Sequence, residues 1–305
     1  MGTVWVTGAA GFTGQHMLRF LKAQTDFRII ALDRVAGATD SVADVAIQFE
    51  LSDHNAVKEL ALQEPPNYVI HLAAATPPAD DDVMWGSCVG GTVNLMRGLV
   101  AANAHKAMRF INAGSAAEYL KTTAGEPITE DYPCGGEMPY GKAKWAQSVM
   151  ALALGRQYGI DVVIARPFNL LGPGMPEKWV SASLCAQFSD KSKDTIKVGN
   201  TASERDFLDI RDVVEAYWSV AQKGIAGEEY NICSGVPTSI QNVIDIFLEE
   251  TGHHHKVTID QSRFRSVDLD RVYGSPAKIQ SDTGWQPKIS VKQSLIDMLR
   301  EARGE

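Results

Sequence analysis

The chain has 305 residues, 45% of them hydrophobic, which is enough to bury a full core in one large domain or two closely joined ones. A formal charge of -8 argues against an extended nucleic-acid partner and leaves only a local phosphate site open. Cys88, Cys134, Cys185 and Cys233 form no C-x-x-C pair and no apolar run approaches the length of a membrane span, so neither a disulfide framework nor a structural zinc site is expected, and the protein is read as cytoplasmic.

A first predicted strand, 3–7, runs straight into Gly8-Ala9-Ala10-Gly11-Phe12-Thr13-Gly14, and a helical period follows over 16–23. Strand, glycine loop and helix in that order form the setting of a phosphate-binding turn. Gly8 makes the tight turn, and the missing side chains at Gly11 and Gly14 let backbone approach a pyrophosphate and let helix pack on strand. The N–H groups at the helix start, at Phe12 and Thr13, attract anionic oxygens. A second strand, 28–32, ends at Asp33, where a carboxylate can accept from the adenosine ribose hydroxyls. Asp33 repels a 2′-phosphate while the adjacent Arg34 can pair with one, so NAD(H) is expected to be preferred with NADP(H) tolerated.

Strands 45–49 and 68–72 flank a helix over 55–62, and Pro77-Pro78-Ala79-Asp80-Asp81-Asp82 reads as an exposed loop beside the site. A helix over 89–102 leads to strand 109–113, after which Ser115 sits at the carboxyl edge of the sheet. Tyr140-Gly141-Lys142-Ala143-Lys144 then places Tyr140 and Lys144 at i, i+4 on one helical face, continuous with an amphipathic run over 143–158. A free phenol titrates near pH ~10, and a neighbouring ammonium stabilises the phenolate, which is the expected task of Lys144. Ser115 can hydrogen-bond the substrate oxygen that Tyr140 protonates. A surface Tyr and Lys explain a lone Y-x-x-x-K, but the glycine loop upstream and the strand-end Ser favour redox chemistry on a secondary alcohol or ketone. Lys142 is read as a solvated helix charge.

After strand 161–165 the pattern loosens, with Gly and Pro clusters at 171–176 and 235–237. The expected fold is α/β: a Rossmann-type doubly wound parallel sheet with a smaller C-terminal substrate-binding lobe. Residues 1–166 form the dinucleotide-binding part, rejoined by about 206–233, and 167–205 with 234–305 form the lobe. His253-His254-His255 follows Gly252 and reads as a turn at a helix end, with no metal expected.

Together these residues resemble the extended short-chain dehydrogenase/reductase family of nucleotide-sugar epimerases, dehydratases and reductases, over essentially the whole chain. His71-Leu72-Ala73-Ala74 looks like its strand-four cofactor motif, and Arg166-Pro167-Phe168-Asn169 with Gly172-Pro173-Gly174 looks like its passage to the substrate lobe. Within the family, Ile196-Lys197-Val198-Gly199-Asn200, Arg205-Asp206-Phe207, 209–213 and 230–235 look most like the GDP-4-keto-6-deoxy-D-mannose reductase branch.

The resemblance implies that Leu51, Leu72, Ala73 and Ala74 line the cofactor and that Lys144 also anchors the nicotinamide ribose. It further implies that Asn169, Lys197, Arg205 and Arg265 face the nucleotide diphosphate, with Asp268 toward the ribose. The helix of Tyr140 would pair with its copy in a homodimer. Dehydratases of the family carry a Glu two positions after the hydroxyl residue; here Ala116 and Ala117 follow Ser115, and Glu118 is expected to point elsewhere. Other departures are Cys88 for Asn, Met138 for Ser and Leu120 for Gly. The implied reaction is NAD(P)H-dependent reduction of the 4-keto group of a nucleotide-linked, GDP-type 6-deoxy-hexulose. A 4-epimerase with tightly bound NAD is the alternative, and a non-enzymatic nicotinamide-sensing protein, which would be expected to lose Tyr140 or Lys144, is more remote.

Overall fold

The structure, a computed structural model, describes residues 2–35, 37, 39, 42–120, 125–252, 255–263 and 271–305. The first half of the chain runs β1 (Thr3–Thr7), α1 (Phe12–Gln24), β2 (Arg28–Asp33), β3 (Val45–Gln48), α2 (His54–Gln63) and β4 (Tyr68–His71). It continues through α3 (Asp81–Trp85), α4 (Gly91–Ala101), β5 (Arg109–Ala113), α5 (Pro139–Tyr158) and β6 (Asp161–Pro167). These strands are apolar on both faces. Val4 and Val6 of β1 pack with Met17 and Leu21 of α1, while Trp5 between them packs with Val57 of α2 and Leu95 and Leu99 of α4. A strand that must bury both faces suits a parallel sheet covered by helices on either side.

The chain then leaves this sheet for β7 (Asn169–Leu171), α6 (Val180–Ser189), β8 (Thr195–Val198) and β9 (Glu204–Asp209). It returns with α7 (Ile210–Lys223) and β10 (Glu229–Ile232), and leaves again for β11 (Pro237–Ser239), α8 (Ile240–Glu250), β12 (Lys256–Ile259) and β13 (Arg271–Val272). Helix α9 (Ala277–Thr283) packs back on α7 and β10, and α10 (Val291–Arg303) crosses once more to α6 and α8. The main sheet has the order β10-β6-β5-β4-β1-β2-β3 with every pairing parallel. The smaller half holds β7, β9, β11 and β13 in one sheet and β8 with β12 in another, over a core that includes Phe188, Ile244, Phe247 and Leu295.

Three carboxylates fasten the smaller half and its connections. Buried Asp206 accepts from the backbone N–H of Ser234 at 2.8 Å, Gly235 at 2.9 Å and Gly274 at 3.2 Å. Asp209 caps α7 through the N–H of Arg211 at 2.8 Å, and the Arg211 guanidinium reaches on to Asp297 of α10 at 2.7 Å. Asp212 accepts from the N–H of Lys288 and of Ile289. Among the described residues no helix is long and apolar enough to cross a membrane. The order of the main sheet reverses between β1 and β4, so the crevice beyond their carboxyl ends is where a ligand is received in folds of this type.

Candidate active site

The glycine loop forms the first wall of this crevice. Gly8 leaves β1 at φ +68, in the left-handed region, and a Cβ there would lie 2.8 Å from Ala73 N. Among the described residues no side chain caps α1 at Gly11 and no acid occupies its first turn, which leaves the leading N–H groups of Phe12 and Thr13 for an anion. Gly14 packs so closely that a Cβ would meet Gly8 O at 2.3 Å. Gly14→Ala is expected to push α1 off the loop and to weaken dinucleotide binding at least about tenfold, or ~1.4 kcal/mol, in an NADH fluorescence titration.

Asp33 stands beside the loop, its Oδ2 accepting from Ala10 N–H at 2.9 Å and its Oδ1 from Val35 N–H at 3.0 Å. The remaining lone pairs suit a ribose diol. Arg34 is exposed next to it. Leu72 N–H donates to Thr7 O at 3.2 Å, which carries Leu72, Ala73 and Ala74 to the loop, and Leu51, from the turn between β3 and α2, packs against the start of α4, where a Cβ on Gly91 would be 3.5 Å from it. A cradle that a Cβ would fill, free helix-start donors and a carboxylate at the next strand end together fit a nicotinamide dinucleotide.

Across the crevice, Ser115 begins a tight turn after β5, with its Oγ accepting from Ala117 N–H at 3.2 Å. Helix α5 is set against this turn because Gly141 has no side chain: a Cβ would sit 2.1 Å from Ala117 O. That approach sets the Ser115 hydroxyl beside the Tyr140 phenol, where it favours the ionised form. Tyr140 otherwise packs in an apolar cluster with Ala74, Met84 and Cys88.

Burial pushes the phenol above its ordinary value of 10, Cys88 and Glu118 add to this, and the Ser115 hydroxyl opposes it. Lys144 is buried one turn on, its Nζ donating to Ala113 O and to Gln147 Oε1, each at 2.5 Å. Burial pulls the ammonium below its ordinary value, against Cys88 and Glu118. The balance therefore differs from the one expected from spacing. Desolvation dominates the phenol, and it stays protonated, the form a proton donor needs.

Glu118 is fully buried and turned into the core. Its Oε1 accepts from Ser115 N–H at 2.8 Å and Ser148 Oγ–H at 3.1 Å, and its Oε2 accepts from Arg166 Nε–H at 2.9 Å. Arg166 also pairs with Glu229, donates to Tyr119 Oη at 3.3 Å and lies over the Tyr119 ring. Burial raises the Glu118 carboxyl, opposed first by Arg166 and then by Lys144. With Ala116 and Ala117 at the preceding positions, the turn offers the crevice a hydroxyl and no free carboxylate. Sequence reasoning missed the Glu118–Arg166 pair and also Gln147, although Gln147 lies three residues after Lys144 and therefore on its face of the helix.

The residues expected at the substrate are more dispersed. Asn169 opens β7 opposite Phe207, and Arg205 lies on β9 opposite Thr238, its Nη1 donating to Glu204 O at 2.8 Å. The small sheet brings these two together. Lys197 is exposed on β8, in the separate ladder with β12. Arg265 and Asp268 lie outside the described residues, as do His253 and His254; the His255 ring bonds Lys193 O at 2.7 Å. Lys178 carries no sequence signal of its own. Its Nζ reaches across from the smaller half to Thr76 Oγ1 at 2.6 Å and Pro77 O at 3.1 Å.

A Rossmann sheet whose first and fifth strands bring a phosphate loop and a Ser–Tyr–Lys cluster to one crevice places the molecule among the extended short-chain dehydrogenases/reductases. The chain belongs, more narrowly, to the GDP-mannose 4,6-dehydratase family, which it matches over residues 5–298. It is 31% identical to the GDP-6-deoxy-D-mannose reductase of Pseudomonas aeruginosa, over 98% of this chain and 96% of that protein. Identity to the GDP-6-deoxy-D-talose 4-dehydrogenase of Aggregatibacter actinomycetemcomitans is 25%, over 98% and 97%. Among solved structures, RMD from Pseudomonas aeruginosa complexed with NADPH aligns at a TM-score of 0.88 and 30% identity, covering 100% of this chain and 99% of that one.

Proposed function

We propose that the protein is an NAD(P)H-dependent reductase that converts the 4-keto group of a GDP-linked 6-deoxy-hexulose to an alcohol. The observation that carries this reading is the turn 115–118: it presents a hydroxyl beside Tyr140, while its one carboxylate, Glu118, is committed to Arg166. Ketone reduction needs a proton donor at the oxygen, whereas β-elimination needs an acid/base carboxylate near the sugar. When bound, the reduced nicotinamide supplies the hydride. Tyr140 gives its phenolic proton to the oxygen that becomes the alcohol, and Ser115 holds that oxygen in line. Lys144 supplies positive charge beneath the phenol as the proton leaves.

Asn169 and Arg205 on the small sheet, with Lys197, Arg265 and Asp268, are assigned to the nucleotide diphosphate and its ribose. A thermal-shift panel of GDP, UDP, dTDP and CDP tests the base. GDP is expected to stabilise selectively, and selective stabilisation by UDP or dTDP overturns the GDP assignment. Turnover is expected to consume NAD(P)H stoichiometrically; activity without added reductant would identify an epimerase instead. Asp33 favours the unphosphorylated ribose, so kcat/KM is expected to be higher with NADH than with NADPH, and strict NADPH dependence overturns that preference.

The protein is also proposed to be a homodimer through α5, where Trp145, Val149 and Met150 are exposed on one face. Trp145→Glu is expected to shift the mass in light scattering from dimer to monomer. All four cysteines are free, which supports a reducing, cytoplasmic setting.

A further inference from the structure

A line of buried polar groups runs from the glycine loop to Lys144, and the reaction described above uses only its last member. Thr7, His71, Thr92, Gln147 and Lys144 are all buried, on β1, β4, α4 and α5. The Lys144 ammonium can only donate, so the Gln147 amide must turn its oxygen to Lys144 and its NH₂ to Thr92 Oγ1, 2.9 Å away. The Thr92 hydroxyl donates to Cys88 O at 2.6 Å. Its lone pairs are then filled by Gln147 and by the ring N–H of His71 Nε2 at 2.9 Å.

That count fixes the His71 tautomer. With the proton on Nε2, Nδ1 accepts from the Thr7 hydroxyl at 2.7 Å, and Thr7 Oγ1 in turn accepts from Ala73 N–H at 3.2 Å. Every bond in the line then has a fixed direction, and the two halves converge on Thr92 Oγ1. Burial, with Lys144 nearby, lowers His71 to about 3, so the ring stays neutral at working pH.

We propose that His71, Thr92 and Gln147 are positioning residues that aim the Lys144 ammonium and tie its placement to the wall of the dinucleotide site at Thr7 and Ala73. The inference rests on the reading of Tyr140 and Lys144 as the catalytic pair. Two of the three ammonium hydrogens are held by Ala113 O and Gln147 Oε1, which leaves one for the crevice. Without Gln147 the cation keeps one anchor and can swing, and a displacement of about 1 Å at a reacting group costs on the order of a hundredfold in rate. The chain also joins two walls that sequence separates widely.

Lys144 is faced by Cys88 from the turn before α4, Glu118 from the turn after β5 and His71 from β4, with Tyr140 one turn earlier on its own helix. Only Gln147 can be changed in charge without altering that set. Gln147→Met removes an acceptor that favours the charged amine, so the alkaline limb of kcat for ketone reduction is expected to move to lower pH and kcat to fall about 10- to 100-fold, with substrate KM within about threefold. Gln147→Glu adds a carboxylate beside the ammonium and is expected to move the same limb to higher pH. Opposite shifts are not produced by a merely structural residue.

Should Gln147→Met fail to fold, Thr92→Val and Thr92→Ser replace it: Val is expected to lower kcat, and Ser, which keeps the hydroxyl, to recover most of the loss. Unchanged kcat in Gln147→Met, limbs that stay in place in both Gln147 variants, or a Thr92→Ser no better than Thr92→Val overturns the inference. Tyr140→Phe run alongside separates the two claims. If it keeps full activity, the reading of the catalytic pair fails, whatever Gln147 does.

Discussion

Tyr140→Phe is expected to lower kcat for ketone reduction about 10²- to 10⁴-fold, the range that a positioned general acid contributes, while NADH still binds. The substitution removes one oxygen from the apolar cluster with Ala74, Met84 and Cys88 and leaves the glycine loop and Asp33 untouched. Loss of turnover with an unchanged dinucleotide Kd is the signature of an interaction made at the reacting oxygen. An unchanged kcat would remove the phenol from the mechanism.

The pH profile follows from the same burial. On the proposed mechanism the reduction needs both the protonated phenol and the charged Lys144 ammonium; desolvation raises Tyr140 above the ordinary value of 10 and lowers Lys144, so the amine sets the alkaline limb. The rate is therefore expected to stay flat through neutrality and to fall only on the alkaline side. A steep decline between pH 6 and 8 would place another group in control.

Arg166→Met is expected to cost about 3–5 kcal/mol of stability, read as a lower midpoint in urea at unchanged m. It leaves the Glu118 carboxylate, at 0% exposure, without its hydrogen-bonded cation and with only the weaker attraction of Lys144, and it also removes the partner of Glu229 and the cation over Tyr119. The double variant Glu118→Gln with Arg166→Met should recover a large part of that loss, because the buried charge is gone while an amide oxygen can still accept from Ser115 N–H. If the double variant is as unstable as the single one, the penalty lies in packing and not in an unpaired charge. The pair also holds the Ser115 turn, so the stability of the core and the shape of the site share one carboxylate.

The parts of the site legible in the sequence are those set by short spacing. Gly8, Gly11 and Gly14 lie within one turn and its helix start, and Tyr140 and Lys144 are four residues apart on α5; both arrangements are fixed by helix geometry alone. Helix α5 begins at Pro139, where proline suits the first helical position, earlier than the apolar period over 143–158. The small strands β7 and β13, of three and two residues, are too short to show a period of two, and their pairing with β9 is long-range. Depth was equally invisible. Glu118 read as a neighbour pointing elsewhere, but nothing in the spacing shows that it meets Arg166 or that Tyr140 is dominated by desolvation, since both depend on which segments cover them.

The path of the backbone carries a last consequence. Because it leaves the main sheet after β6, comes back with α7 and β10, departs at β11 and touches both sides again through α9 and α10, neither half is encoded by one continuous stretch of polypeptide. Transplanting the C-terminal third from a relative with another sugar preference would carry along an edge strand of the foreign Rossmann layer, so retargeting this scaffold calls for scattered point changes and not for a cassette.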